Sequence, residues 1–501
     1  MKLFAHFARR IPSQYLLVVI TAIGTVTAVA EVDDLPDIGS PSDAILSQKL
    51  EAQIGRQIYN SLLASGGVIT DPEIQEYIQD IGMRLVAEAG VDGQHFQFFV
   101  MDDPVINAFA LPGGYVGIHS GLLLATKTES ELAGVLAHEV SHVTQRHISR
   151  AVFANQRAST LSMAAMLGAI LIGVATGADP GLMQGAIGAA QSLTIENQIS
   201  FTRNNEYEAD RVGIGFLASA GFDPNGMTNF FETMGRAESS LSNLAPEFLR
   251  THPVSTDRMA ESRARARKYP RVDAVDSSSY HLARARARLA TSGRPESALE
   301  YFRAEQDNPE TVGSLEIEYG IALTLARMGD YKEAEELFAG LLATNEELIP
   351  LYSGLAQTRA RLGDREGALG TFRQALALFP RNVPLTVRYA ETLIEYGNPK
   401  EAHRILLDLL NQVPPTLEQI RLIAIAANNA GDIADAHYYM AEYHAMSGNL
   451  RLAIEQLRLA LTTPKLDSVQ RARFRARMEQ FQEFLPGEDK EPSRRKRNRD
   501  K

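Results

Sequence analysis

The stretch His138-Glu139-Val140-Ser141-His142 is the part of the sequence that decides the fold around it. On a helix, residues four positions apart lie on one face, so both imidazoles can reach a single metal ion. Glu139 lies one position further round, where its carboxylate can take a proton from a water molecule held on that ion. Because zinc lowers the pKa of a bound water to about 7, the stretch is typical of a hydrolytic zinc site.

The residues on either side of this stretch predict a helix. Apolar residues repeat at helical spacing from Leu132 to Val143. A catalytic zinc also needs a third protein ligand. His147 lies about half a turn round from His138 if the helix continues that far, so we expect it on the surface or in a hydrogen bond rather than on the metal.

A better third ligand lies in the segment Asn205-Glu206-Tyr207-Glu208-Ala209-Asp210. Glu206 and Asp210 are again four positions apart on a predicted helix. One carboxylate can bind zinc while the other accepts a hydrogen bond from a ligand imidazole and fixes its orientation. A solvated acidic helix face is the alternative interpretation of this pair.

Together the two motifs resemble those of the M48 peptidases, a gluzincin-type group of zinc metalloproteases. The resemblance covers roughly residues 45–265 and implies an α+β domain that is mostly helical with a small sheet. It also implies one zinc ion per chain. The residues to which it gives roles are the zinc ligands His138, His142 and Glu206, the general base Glu139, and Asp210 behind the ligands.

A predicted hairpin precedes the zinc helix and is similar to the strand segment found there in this family. Gly113-Gly114 stands between two apolar runs in residues 108–118, which indicates a hairpin or a bulge. An exposed edge there can hold an unfolded polypeptide by strand addition. A purely structural hairpin is the alternative.

A late His-Pro element also resembles the family. Thr251-His252-Pro253 is followed by Arg258. We expect His252 either to approach the site, as a transition-state donor or as an extra ligand that gates the zinc, or only to cap a turn. Arg258 is expected to pair with an acidic group and hold this element in place.

The N-terminus predicts export. Lys2, Arg9 and Arg10 precede an apolar run that ends in Ala28-Val29-Ala30, a small-x-small cleavage pattern. We expect a signal peptide over residues 1–30, cleaved after Ala30, and a periplasmic location; an uncleaved anchor is the alternative. The chain has no cysteine, which excludes disulfides and a lipid-modified cysteine.

Length and charge limit the remaining possibilities. A chain of 501 residues is longer than one hydrophobic core usually supports, so at least two domains are expected. The net charge of −11 argues against nucleic acid as the main partner. The basic tail, residues 486–501, is expected to be disordered.

An apolar segment at residues 163–193 separates the two zinc motifs. A turn-forming stretch, 177–181, divides it into two arms. Each arm is too short to span a bilayer, which takes about 20 apolar residues. We expect either a buried helical hairpin or one that packs near the site or touches a membrane surface, where its movement could control access to the zinc.

From about residue 275 the sequence becomes a helical repeat. Glycine recurs after 36, 34, 34 and 34 residues, with alanine five positions and a large apolar residue nine positions after each glycine. This period resembles tetratricopeptide repeats, which stack into a protein-binding surface. Gly448 follows after half a period, so one helix is expected to serve two repeats. The repeating glycines are Gly293, Gly329, Gly363, Gly397 and Gly431.

The predicted chain therefore has a linker at 31–44, an M48-like metalloprotease domain at 45–270 and an all-α solenoid of tetratricopeptide repeats at 275–485. This combination resembles periplasmic proteases of Gram-negative bacteria that act in β-barrel assembly. It implies a zinc endopeptidase that degrades misfolded or stalled outer-membrane proteins and assists their assembly. The repeats would recruit substrate or the barrel-assembly machinery. A non-proteolytic chaperone or scaffold with a latent zinc site is the alternative.

Overall fold

The computed structural model describes residues 46–91, 93–155, 203–240, 247–309, 311–411, 413–464 and 466–483. Four predicted segments lie outside these residues, and their structure remains a prediction. They are the signal peptide (1–30), the linker (31–44), the apolar hairpin (163–193) and the basic tail (486–501).

The described residues up to 266 combine a three-stranded sheet with nine helices, as the sequence predicted. In chain order these elements are α1 (Gln48–Ala64), α2 (Pro72–Ala87), β1 (Gln97–Met101), β2 (Ala108–Leu111), β3 (Tyr115–His119), α3 (Ser120–Ala125), α4 (Glu129–Thr144), α5 (His147–Asn155), α6 (Arg203–Ser219), α7 (Gly226–Ser240), α8 (Glu247–Thr251) and α9 (Thr256–Ala266).

The sheet has the order β1-β3-β2, with β3 parallel to β1 and antiparallel to β2. The predicted hairpin is confirmed, because Leu111 pairs with Tyr115 across a short loop. Gly113 and Gly114 in this loop have φ angles of 75° and 84°, which favour glycine. The hairpin leaves β2 as an edge strand.

Helix α4 runs through the centre of this domain and is buried from Glu129 to Val143. It begins where the Thr128 side chain accepts a hydrogen bond from the backbone N–H of Glu131. It packs against α6 and α7. The close approach to α7 requires Gly134, because a Cβ atom there would lie 2.5 Å from the backbone nitrogen of Met227. Helix α4 is thus fixed on several sides before it contributes any chemistry.

The described residues from 278 onward form helices only, which confirms the predicted solenoid. Each repeating glycine has a positive φ and separates two helices. The helices are α10 (Ser278–Thr291), α11 (Pro295–Gln306), α12 (Leu315–Met328), α13 (Tyr331–Thr344), α14 (Ile349–Leu362), α15 (Arg365–Leu378), α16 (Val383–Glu395), α17 (Pro399–Leu410), α18 (Leu417–Asn429), α19 (Ile433–Met446), α20 (Leu450–Thr462) and α21 (Ser468–Glu483).

The repeat pattern also explains the packing inside the solenoid. The alanines that follow the glycines are buried, and so are the large residues Phe302, Phe338 and Phe372 between the helices. The half-period at Gly448 corresponds to α19, which packs against both α18 and α20. None of the helices in the described part of the chain is long and apolar enough to cross a membrane.

The solenoid docks onto the first domain through α2. Asp71 caps this helix by accepting hydrogen bonds from the backbone N–H groups of Glu73 and Ile74. Its other carboxylate oxygen lies 2.7 Å from Arg286 of α10 and 3.1 Å from Arg388 of α16. Both arginines also reach Glu73, at 3.1 Å and 3.0 Å. Burial opposes the ionisation of Glu73, but the two guanidinium groups lower its pKa to about 2. A buried charge cluster therefore joins the domains.

Candidate metal centre

Four buried side chains converge beside α4. His138 and His142 come from α4, Glu206 from α6, and His252 directly follows α8. One ligand atom from each lies within 4.8 Å of the others. The Nε2 atoms of His138 and His142 are 3.0 Å apart, and each lies 3.4 Å from a carboxylate oxygen of Glu206. The structure therefore brings together the three residues that the sequence predicted as ligands.

This geometry fits a zinc ion. In a tetrahedral site with bonds of about 2.0–2.1 Å, neighbouring ligand atoms lie about 3.4 Å apart. The distances among His138, His142 and Glu206 are 3.0–3.4 Å. Imidazole nitrogen and carboxylate oxygen are also donors that zinc accepts. The residues present can therefore hold this ion.

His252 occupies the fourth corner of the cluster. Its Nδ1 atom lies 3.3 Å from Nε2 of His138 and 3.2 Å from both carboxylate oxygens of Glu206. Phe248, one turn earlier, stacks on the imidazole with 5.1 Å between ring centroids. The backbone N–H of His252 donates to the Phe248 carbonyl at 2.8 Å. The imidazole of His252 therefore lies in the cluster, as in the first of the two alternatives expected from the sequence, and does not only cap a turn.

Asp210 and Arg258 support the other side of His138. Asp210 Oδ1 lies 3.0 Å from Nδ1 of His138. Arg258 binds the same carboxylate through Nε and Nη2, both at 2.8 Å, and its Nη1 lies 3.0 Å from Glu206. The expectation that Arg258 pairs with an acidic group is confirmed. Asp210 is placed where it can orient His138, as proposed for it from the sequence.

Glu139 points into the centre without a strong partner. Its side chain is fully buried, and no side chain among the residues that the structure describes donates a hydrogen bond to either carboxylate oxygen. The Nε2 atom of His252 lies 3.5 Å away. Burial raises the pKa of the Glu139 carboxyl. This is the environment of a group that exchanges protons rather than one that ties structure together.

The charges of the ligands are set by their neighbours. Burial opposes a positive charge on His138, but Asp210 and Glu206 raise the pKa of its imidazole to about 10. Burial, with the charge on His138, lowers the pKa of His142 well below its usual value. Burial disfavours the carboxylate of Glu206, but the contacts with His252 and His138 hold its pKa well below normal. An ion bound here would have to displace the proton favoured on His138, so we expect metal affinity to fall as the pH falls.

The structure decides between the two alternatives expected for His147. Helix α4 does not continue to this residue, because Arg146 adopts a left-handed conformation with a φ of 53°. A new helix, α5, begins at His147, and this residue is fully buried rather than on the surface. Its Nδ1 atom lies 2.8 Å from Nδ1 of His142, and its Nε2 atom lies 3.2 Å from Glu208. It forms hydrogen bonds, which is the other part of the expectation.

Sequence reasoning missed Glu208 as part of this arrangement. It lies between Glu206 and Asp210, two positions from each, and spacing alone places it on a different face of α6. The only available signal was that three acidic residues alternate along five positions. The contact of Glu208 with His147 depends on the turn at Arg146.

Comparisons with known proteins agree with the two-domain organisation. Residues 72–266 match peptidase family M48, and residues 359–426 match the tetratricopeptide repeat family. A beta-barrel assembly-enhancing protease of Vibrio cholerae is 38% identical over 473 residues, covering 94% of this chain and 97% of that protein. The beta-barrel assembly-enhancing protease of Escherichia coli is 34% identical over 459 residues, covering 90% of this chain and 92% of that protein.

A more distant relative matches a smaller share of the chain. The mitochondrial metalloendopeptidase OMA1 of Schizosaccharomyces pombe is 28% identical over 228 residues, which cover 43% of this chain and 60% of that protein. The similarity along most of the chain is thus to the beta-barrel assembly-enhancing proteases.

Proposed function

The chain belongs to the family of beta-barrel assembly-enhancing proteases, with an M48 peptidase domain, and on that premise we propose that it is a zinc metalloendopeptidase. One ion per chain would be bound by His138, His142 and Glu206. The observation that carries the proposal is their convergence within 4.8 Å beside a buried Glu139. Zinc in such a site polarises the peptide carbonyl and activates water for attack.

Three residues of the chain would have the other roles in the reaction. Glu139 takes a proton from the attacking water and passes it to the leaving amine, since its raised pKa suits both steps. Asp210 orients His138. His252 lies close enough to the carboxylates of Glu139 and Glu206 to serve either as a donor to the transition state or as a fourth ligand that closes the centre.

The sheet offers a place for the substrate. Strand β2 is an edge strand, and α4 packs against it. An extended polypeptide can add to such an edge through main-chain hydrogen bonds, with little demand on its sequence. This mode suits a protease whose substrates are recognised because they are unfolded.

The substrates that we propose are misfolded or stalled outer-membrane proteins. The relatives along the whole chain are named for β-barrel assembly. The repeats form a stacked helical array of the kind that binds other proteins. We therefore propose that they recruit the substrate or the barrel-assembly machinery, so that the protein both assists assembly and removes what fails to assemble.

The proposed location is the periplasm, after cleavage of residues 1–30. The basis is the positive start, the apolar run and the Ala28-Val29-Ala30 pattern. N-terminal sequencing of the protein isolated from cells should begin at Glu31. A sequence that begins at Met1 would support the uncleaved anchor instead.

The catalytic proposal is tested with Glu139→Gln in the full-length protein. Cleavage of an unfolded outer-membrane protein should fall by about 10²–10⁴-fold, because the general base is lost. Zinc content, measured by elemental analysis, should stay at one ion per chain, since no ligand is changed. The wild type should lose activity with a chelator and recover it with zinc.

Two outcomes would contradict the proposal. Cleavage that survives both the chelator and the substitution would assign it to a contaminant or to another site. If the wild type binds zinc and prevents aggregation of the substrate but never cleaves it, the chaperone with a latent zinc site is the better description.

A further inference from the structure

We propose that His147 is a positioning residue that, together with Glu208, fixes the tautomer and ring orientation of His142 and thereby strengthens zinc binding. This inference rests on the proposed function, because it takes His142 as a zinc ligand. It assigns a supporting role at the metal centre to two further residues, His147 on α5 and Glu208 on α6.

The turn after α4 creates the contact. Arg146 is in the left-handed region, which side chains other than glycine and asparagine rarely adopt. Its guanidinium group compensates by donating to the Leu46 carbonyl, to Glu51 and to Ser149. Helix α4 therefore ends at Thr144, α5 begins at His147, and the ring of His147 lies against that of His142 with 4.8 Å between centroids.

The hydrogen bonds then have only one consistent direction. If Nε2 of His142 gives its lone pair to zinc, its Nδ1 atom carries the hydrogen. That N–H donates to Nδ1 of His147 across 2.8 Å. The hydrogen of His147 then lies on Nε2, where it donates to Glu208 across 3.2 Å. Arg150 donates to the same carboxylate at 2.9 Å and completes this series of hydrogen bonds.

The two zinc histidines are thus supported differently from one helix. His138 meets the buried carboxylate of Asp210 directly, whereas His142 reaches Glu208 through a second imidazole. The Glu208 side chain is 37% exposed, while that of His147 is fully buried. Water can therefore replace the carboxylate of Glu208, but it cannot replace the acceptor that His147 provides to His142.

This difference gives a graded test in the full-length protein. Zinc affinity is measured by competition with a chromogenic chelator for wild type, His147→Leu, His147→Gln and Glu208→Ala. We expect His147→Leu to weaken binding by about 10–100-fold, the usual effect of losing a partner of a ligand histidine. His147→Gln should retain most of the affinity because its amide oxygen can accept from Nδ1 of His142. Glu208→Ala should have an intermediate effect.

A matched control separates this effect from a general loss of stability. His281 pairs with Glu316 at 3.2 Å, in the solenoid and away from the centre. His281→Leu should leave zinc affinity unchanged. Thermal unfolding of each variant in the presence of excess chelator reports folding independently of the metal.

The outcomes are separable. If His147→Leu binds zinc as tightly as the wild type, or His147→Gln binds as weakly as His147→Leu, the inference is wrong. If His147→Leu does not fold, the other three proteins decide the inference. Glu208→Ala must then bind zinc more weakly than both the wild type and His147→Gln, and equal affinities of the wild type and Glu208→Ala would show that the inference is wrong. A wild type that fails to bind zinc would instead overturn the proposed function.

Discussion

His252 is the residue whose position most affects what the centre can do. Catalytic zinc sites keep one position open for water, whereas closed sites fill all four with protein ligands. The Nδ1 atom of His252 lies 3.2–3.3 Å from atoms of His138 and Glu206, the spacing of a fourth ligand. We propose on this basis that His252 closes the resting centre.

We therefore predict that His252→Ala increases basal proteolysis. If about one molecule in ten is open in the wild type, removing the imidazole raises chelator-sensitive cleavage by about tenfold. The measurement is cleavage of a labelled unfolded substrate, with zinc content measured in parallel, since three ligands remain. A fall of about 10²-fold at unchanged zinc content would show instead that His252 acts as a donor in the transition state.

The sequence predicted the residues at this centre better than it predicted the residues that surround them. Spacing on helices was enough to pair His138 with His142 and Glu206 with Asp210, because residues four positions apart share a face whatever the tertiary structure. The resemblance to the M48 peptidases then placed the two pairs in one centre. The place of His147 could not be predicted in the same way. It depends on a left-handed residue at Arg146, which is stabilised by contacts with residues about 100 positions earlier.

At the scale of elements, the contact between α2 and α16 contains a group that titrates near neutral pH. Glu76 of α2 accepts a hydrogen bond from Asn382, at the start of α16, across 2.8 Å. Burial, together with the nearby Asp80 and Glu73, raises the pKa of Glu76 to about 7. An unfolded glutamate ionises near pH 4.3. Between these values the folded protein binds more protons, so stability falls as the pH rises.

Glu76→Gln should flatten this dependence. The melting temperature of the wild type should decline between about pH 5 and pH 7.5, as the buried carboxyl loses its proton. The amide keeps the size of the side chain but does not titrate, so the decline should be smaller. Glu296→Gln, at an exposed position of α11, is the control and should change nothing. Equal slopes for wild type and Glu76→Gln would refute the assignment.

Sequence periodicity predicted the individual elements well but not how closely they pack. The 34-residue period set the repeat helices, since each glycine allows the positive φ that ends one helix. The approach of α6 to α4 was not predictable. It depends on Gly213, where a Cβ atom would lie 3.0 Å from the Ala137 carbonyl oxygen. A glycine inside a predicted helix does not show which other helix packs closely against it.

At the scale of the whole molecule, the charge cluster on α2 should stabilise the joined domains. Arg286→Met would leave Asp71 and Glu73 buried with Arg388 as their remaining guanidinium partner. Removing one partner from a buried ion pair typically costs about 3–5 kcal/mol. We expect a lower urea midpoint, monitored by fluorescence and by zinc release.

The control for this prediction is an exposed ion pair in the same solenoid. Arg303 and Glu333 lie 3.7 Å apart, with more than half of each side chain exposed. Arg303→Met should cost less than about 1 kcal/mol. If the two substitutions lower stability equally, the cluster on α2 has no special role in joining the domains.

The metal centre also joins two helices that are distant in the sequence. His147 of α5 lies 2.8 Å from His142 of α4 and 3.2 Å from Glu208 of α6. An ion bound by His142 and Glu206 would therefore hold both helices against α4. Binding a structural zinc is worth about 10–16 kcal/mol, so removal of the ion with a chelator should loosen α5 and α6 together.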